Sequence, residues 1–171
     1  MVSAGIFREY DVRGVFGKDL TTEAAELLGK GFGTYAKRNG VKKITLGRDI
    51  RLSSDALHDS IIKGLSAAGM EIIDIGVCPT PILYFSIHHL KADGGVMITG
   101  SHNPPEFNGF KLAIGKETIY GDKIQEVRKI IEKGEFEKGK GSISKYDAIP
   151  HYINYLEKNF EDGRQKTEDL R

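Results

Sequence analysis

A chain of 171 residues, 39% hydrophobic and 29% charged, is long enough to bury a substantial core as one soluble domain. Its net charge of +1 excludes broad, sequence-independent nucleic-acid binding, which needs a basic surface, and no apolar run reaches membrane-spanning length. The single Cys78 excludes an internal disulfide and a multi-cysteine metal site and points to a reducing cytoplasm, so a cytoplasmic location is expected.

In chain order, Ile6 to Phe16 alternates apolar and polar around Arg8, Tyr10, Asp11 and Arg13, which predicts an extended segment broken at Gly14 and Gly17. Thr21 or Thr22 caps a helix that runs through Leu27, Leu28, Phe32 and Tyr35 to Asn39-Gly40. Gly29, Gly31 and Gly33 inside it cost helix propensity, which implies close packing against a neighbour. Ile44–Leu46 reads as a strand. Ser53 or Ser54 then caps a helix with Leu57, Ile61 and Leu65 on one face, ending at Gly69. Glu71–Ile75 is a strand, and Pro79-Thr-Pro81 introduces a helix from Ile82 to Leu90. A strand from Gly95 to Thr99 follows, with a return strand through Lys111–Ile114. Asp122 starts an amphipathic helix, Gly134 to Gly141 is polar and loose, and a last helix covers Ile149 to Phe160. The residues 161–171 are almost wholly polar and are expected to be a linker. Alternating strands and helices predict an α/β fold: a three-layer domain with a mostly parallel, mixed sheet and helices on both faces.

The run Val96-Met-Ile-Thr-Gly-Ser-His-Asn-Pro-Pro-Glu-Phe-Asn-Gly-Phe-Lys111 is where chemistry is expected. A core strand delivers a loop to one sheet edge, Gly100 frees the turn of a Cβ penalty, and the prolines stiffen the exit. Ser101 then sits at a strand's carboxyl end, where open α/β sheets place ligands. Two further segments are expected to converge there as loops after strands, Tyr10-Asp-Val-Arg13 and Gly47-Arg-Asp-Ile-Arg51. Arg13 can grip a phosphate bidentately, and Lys111 can act as a point charge or a proton donor. A serine beside such cations suits phosphoryl transfer, which depends on positioning and on stabilising spread negative charge. For Arg48, Asp49 and Arg51, a structural Arg-Asp brace and a substrate contact both stand open. Adjacent Ser101 and His102 do not make a hydrolase pair, because no nucleophile elbow is present. His58, His88, His89 and His151 read as packing or solvent-facing residues, and Cys78 as buried and inert.

Thr99 to Lys111 closely resembles the phosphoserine loop of the α-D-phosphohexomutases. Tyr10-Asp-Val-Arg-Gly14 and Gly47-Arg-Asp-Ile-Arg-Leu-Ser53 resemble two other signatures of that family, in the same order. The resemblance spans Ile6 to about Phe160 and is nearest to the phosphomannomutase/phosphoglucomutase branch. It implies an enzyme interconverting hexose 1-phosphate and hexose 6-phosphate through a hexose 1,6-bisphosphate that is both intermediate and activator. Ser101 would be the phosphoserine and, through its phosphate, a ligand to Mg²⁺. Lys111 would be the general acid/base, Arg13 would lie by the transferring phosphoryl group, and Tyr10, His102 and Asn103 would position loop or substrate. The family's aspartate-rich metal loop, its sugar-reading loop and its last phosphate-binding loop have no counterpart here. Residues 1–160 are therefore expected to be a first domain, with 161–171 leading towards a second and the other domains as its partners. The isolated chain would be inactive. A non-catalytic phosphosugar-binding or structural domain is the competing expectation.

Overall fold

The structure, a computed structural model, describes residues 2–115 and 117–168, with side chains as far as Phe160. A short 3-10 turn at Ala4–Ile6 leads into β1 (Val12–Val15). Thr21 then opens α1 (Thr22–Arg38), its hydroxyl accepting from the Ala24 N–H at 3.2 Å. After β2 (Lys43–Arg48) come α2 (Ser54–Ala67), β3 (Glu71–Val77), α3 (Thr80–His89) and β4 (Gly94–Ile98). β5 (Phe107–Ile114), β6 (Glu117–Thr118), α4 (Asp122–Lys133), β7 (Ser142–Lys145) and α5 (Ile149–Glu168) complete the order.

Among the described residues the strands form one sheet in the order β1-β5-β4-β2-β3-β7, with β6 also on β5. β4, β2, β3 and β7 are parallel neighbours, while β5 runs against β4, β1 and β6. β1 therefore points the same way as β4, and β5 is the reversed strand between them. One face carries a core in which Leu28 and Phe32 of α1, Leu57 and Ile61 of α2 and Ile124 and Val127 of α4 meet Val96, Ile98, Phe110 and Leu112. The other face is covered by α3 and α5, where Ile82, Leu83 and Ile87 pack with Met97, Ala113 and Tyr152. The α/β class, the mixed sheet and the three layers follow the sequence expectation, as each helix lays one apolar stripe on the sheet.

The helix glycines are contact points. A Cβ on Gly64 would lie 2.1 Å from the Glu26 carbonyl oxygen, and one on Gly29 would lie 2.5 Å from that of Ile61. α1 and α2 thus cross backbone to backbone. Gly31 gives way in the same manner to Ile131 of α4, and Gly33 to Ala68.

Four expectations need correction. Tyr10 to Arg13 is not a loop after a strand, since Tyr10 and Asp11 lie in the turn entering β1 and Arg13 lies inside it. Neither serine hydroxyl caps α2, because the Ser53 and Ser54 hydroxyls are engaged by Asn108. β7, all of it exposed, went unforeseen, because an edge strand pairing through its backbone needs no apolar pattern. Helix α5 runs to Glu168, past the expected end at Phe160; Glu, Arg, Gln and Lys are good helix formers. Residues 169–171 of the expected linker lie outside the described residues.

Away from the serine loop, Arg48 Nε donates to Asp55 at 2.6 Å, and its Nη1 stands 3.9 Å from Asp74. His58 is buried with Nε2 3.2 Å from Asp74 and Nδ1 3.2 Å from Asp59. Burial pulls the His58 pKa down, but the two carboxylates outweigh it and raise it above its usual 6.5. Protonated His58 therefore stabilises the fold, fully below pH 6.5, and the contribution is lost as pH rises through the raised folded value.

Two outcomes are expected. Gly64→Ala should cost about 1–3 kcal/mol in urea unfolding, because overpacking exceeds the gain in helix propensity; a midpoint equal to or above that of the parent would contradict the crossing. His58→Gln should flatten the fall in stability above pH 6.5, measured as the difference in unfolding midpoint between about pH 6 and about pH 8. An unchanged slope would remove His58 from that role.

Candidate functional site

β4 ends at Ile98, and Thr99 still pairs across to β5, its N–H donating to the Gly109 carbonyl at 2.9 Å. The chain then leaves the sheet. Thr99 Oγ1 accepts from the Ser101 N–H at 2.9 Å, and the Gly100 carbonyl accepts from the Asn103 backbone at 3.0 Å and side chain at 2.8 Å. Ser101 is exposed with φ 53°, one of two described non-glycine residues at positive φ. Such a conformation is costly for an L-residue with no amide side chain to support it, so the loop around it has to enforce it.

Arg51 does the enforcing. Its Nη1 donates to the carbonyls of Pro104 at 2.6 Å and Phe107 at 2.9 Å, and its Nη2 to those of Asn103 at 2.7 Å and Ser101 at 3.2 Å. Its Nε lies 3.4 Å from Asp49. A guanidinium has five donors in a rigid fork, so one side chain can satisfy a whole ring of carbonyls. Gly100 is glycine for this reason and not for its dihedral, since a Cβ there would lie 2.3 Å from Arg51 Cζ. Of the two readings open for Arg51, the brace is the one realised.

Asp49 completes the brace. Burial raises its pKa, but the Ser54 hydroxyl at 2.5 Å and the Arg51 and Gly100 N–H groups at 3.1 and 3.2 Å outweigh burial and hold it below its usual value. Behind it, buried Asn108 of β5 donates to Ser53 Oγ at 2.8 Å and Ser54 Oγ at 3.0 Å. A polar chain thus runs from the sheet through the start of α2 to the serine loop. Asn108 escaped the sequence reading, although its place between Phe107 and Phe110 inside a strand marks it as a buried polar group needing partners.

Register places the two cations. Arg13 opposes Gly109 in β5, and Lys111, two residues on, opposes Met97 of β4. Phe110 and Leu112 belong to the core under α1, α2 and α4, whereas Met97 packs on the α3 side. Arg13 and Lys111 therefore share the α3 face, next to the strand pair from which Ser101 emerges. Arg13 donates to the buried carboxylate of Asp11, and Lys111 is half-buried. Tyr10 is exposed in a turn closed by the Arg8 N–H donating to the Asp11 carbonyl at 2.9 Å. His102 is exposed beside Ser101, and Asn103 is half-buried against the loop.

Among the described residues no group of three or more His, Cys, Asp or Glu side chains is placed to hold a metal ion. Asp49, the carboxylate bonded to the serine loop, is already taken by its own donors. No helix among them is long and apolar enough to cross a membrane.

The chain is similar to known proteins in sequence and in fold. A phosphomannomutase/phosphoglucomutase of Pseudomonas aeruginosa PAO1 is 42% identical over 153 residues, which is 90% of this chain and 33% of that protein. A phosphoglucomutase of Neisseria meningitidis serogroup B is 42% identical over 157 residues, covering 91% of this chain and 34% of that one. The chain therefore spans about a third of the length of the curated relatives it matches. Among solved structures, a phosphoglucomutase/phosphomannomutase family protein of Burkholderia thailandensis superposes with a TM-score of 0.85 at 39% identity, over 90% of this chain and 35% of that one. Residues 4–138 match the profile described as "Phosphoglucomutase/phosphomannomutase, alpha/beta/alpha domain I", and the chain belongs to that family.

Proposed function

We propose that this chain is the phosphoserine-carrying domain of a cytoplasmic phosphomannomutase/phosphoglucomutase, an isomerase that interconverts hexose 1-phosphate and hexose 6-phosphate through a hexose 1,6-bisphosphate. The observation that carries the reading is Ser101, an exposed residue at φ 53° on a loop gripped from inside by Arg51. Such a loop presents a hydroxyl outward in one place without using that hydroxyl to hold itself together.

In the first half-reaction a sugar hydroxyl oxygen attacks the phosphorus of phosphorylated Ser101. The new P–O bond forms as the P–Oγ bond breaks, the sugar hydroxyl gives up its proton, and Oγ takes one up. In the second half the bisphosphate presents its other end, and the reverse exchange restores phosphoserine. Lys111 serves as the general acid/base that moves the proton, and Arg13 stabilises charge on the phosphoryl oxygens. Tyr10, His102 and Asn103 position the loop and the sugar phosphate. The described side chains do not by themselves fit a Mg²⁺ ion, which asks for about six oxygen ligands. Ligands beyond a phosphoserine would come from further domains, and the isolated chain is expected to be inactive.

In the full-length protein, with its further domains and Mg²⁺, incubation with glucose 1,6-bisphosphate should add about 80 Da, removable by phosphatase and absent in Ser101→Ala. No gain, or a gain retained in Ser101→Ala, refutes the carrier role. A glucose 1-phosphate assay of the 171-residue chain should stay at background, and appreciable turnover would refute a site divided between domains. Arg51→Lys keeps the charge but loses the fork, so it should cost about 2–4 kcal/mol of stability by denaturant unfolding. The same variant should slow labelling of Ser101 by about tenfold or more. Parent-like stability and labelling would show that the brace is dispensable.

A further inference from the structure

Beyond β6 the chain keeps following β5. Thr118 pairs with Ala113, and the Ile119 N–H donates to the Leu112 carbonyl at 2.8 Å. One residue further along this register, Tyr120 comes alongside Lys111. The faces alternate accordingly. The Thr118 hydroxyl meets the Tyr84 hydroxyl of α3 at 2.9 Å, Ile119 is buried with Leu112 and Ile124 in the opposite core, and Tyr120 returns to the face of Arg13 and Lys111. The next residue fastens this turn to another part of the site, because the Gly121 N–H donates to the Glu9 carbonyl at 2.7 Å. Tyr10 and Tyr120 are thereby brought together, with ring centroids 6.4 Å apart and planes inclined at 38°. Both rings stay largely in solvent, at 67% and 55% exposure. A pair of aromatic rings fixed by the backbone and left uncovered beside two cations is a surface built for a ligand with an apolar face and an anionic end.

We propose that Tyr120 is a substrate-binding residue, its ring lying with that of Tyr10 against the C–H face of the hexose while Arg13 and Lys111 hold the phosphate. The inference rests on the phosphohexose reading of the same site and adds to it the surface that receives the ring. Polarised C–H bonds meet the negative faces of the tyrosines, a contact that reads no particular hydroxyl. Glucose 1-phosphate and mannose 1-phosphate are held alike by this wall, and inorganic phosphate does not use it.

The test is a titration of the chain, carrying ¹³C-labelled tyrosine rings and ¹⁵N-labelled amides, with glucose 1-phosphate, mannose 1-phosphate and inorganic phosphate, followed by NMR. The Tyr10 and Tyr120 ring signals should move with both sugar phosphates and not with phosphate. Tyr120→Ala should weaken both sugar phosphates about five- to tenfold and leave phosphate binding unchanged, whereas Tyr120→Phe, which keeps the ring, should bind like the parent. Sugar phosphate affinity unaltered in Tyr120→Ala, or ring signals that respond equally to phosphate, overturns the inference. If glucose 1-phosphate shifts the Ser101 and Lys111 amides but not the Tyr120 ring, the inference falls and the proposed function stands. If none of the ligands perturbs the chain, the inference falls, and the proposed function, whose site is divided between domains, stands.

Discussion

The interior of the serine loop is filled by a guanidinium, and the rest of the site depends on it. A loop of eight residues between β4 and β5 turns several carbonyls inward, where water would ordinarily have to satisfy them. Arg51 replaces that water with four charge-assisted hydrogen bonds from one rigid group. Asp49 balances the charge and binds the loop through the Gly100 N–H. The gain is large enough to hold Ser101 at positive φ, against a left-handed penalty of about 1–2 kcal/mol. No atom of the Ser101 side chain appears in this network. On the proposed function, the residue that must react is fixed by neighbours that need not.

The second constraint is the reversal of β5. A fully parallel sheet would carry the chain away from the serine loop through a helix before it returned. Here the chain doubles back at once, so the strand carrying Lys111 is hydrogen-bonded to the strand that delivers Ser101. Pairing of β1 on the far side of β5 then adds Arg13 to the same face. Arg13 and Lys111, distant in sequence, reach one sheet face through hydrogen-bond register alone. Strand alternation decides which of them faces the α3 side, so a one-residue slip would turn both cations into the helical core.

The elements that could be read from the sequence were those whose determinants lie within the element. Helix α1 has its Thr21 cap and its apolar stripe, α4 has a segregated apolar face, and β4 is a continuous apolar run. The helix glycines were legible as contacts, though not the partners they touch. What stayed hidden depends on residues far away in sequence. The Ser53 hydroxyl looked like a cap until Asn108 competed for it, and Gly100 looked like a turn glycine until Arg51 occupied its Cβ position. β7 shows no pattern because its pairing with β3 uses only backbone. Tyr120 was missed although Glu117-Thr-Ile-Tyr120 alternates, because a strand of two residues gives too short a period to see. The motif containing Ser101 was plain, yet its brace stood as one of two readings.

A rigid loop with an exposed serine solves only part of phosphoryl transfer. Positioning and positive charge lower the barrier, but a phosphoserine open to solvent offers its phosphorus to water as readily as to a sugar. Directing the group to a sugar hydroxyl requires that hydroxyl to be present at high effective concentration and water to be displaced. The exposed side of Ser101 and His102 supplies neither by itself. On the proposed function, the domain's part is the part that must not move: a fixed nucleophile, two cations on one sheet face and an aromatic wall. Closure over that face has to come and go in each cycle, since the bisphosphate must turn end for end between the two transfers. The division between a braced loop and a separate cover follows from that requirement. An element that both anchored the serine and closed over the sugar would have to break the carbonyl bonds of Arg51 at every turnover.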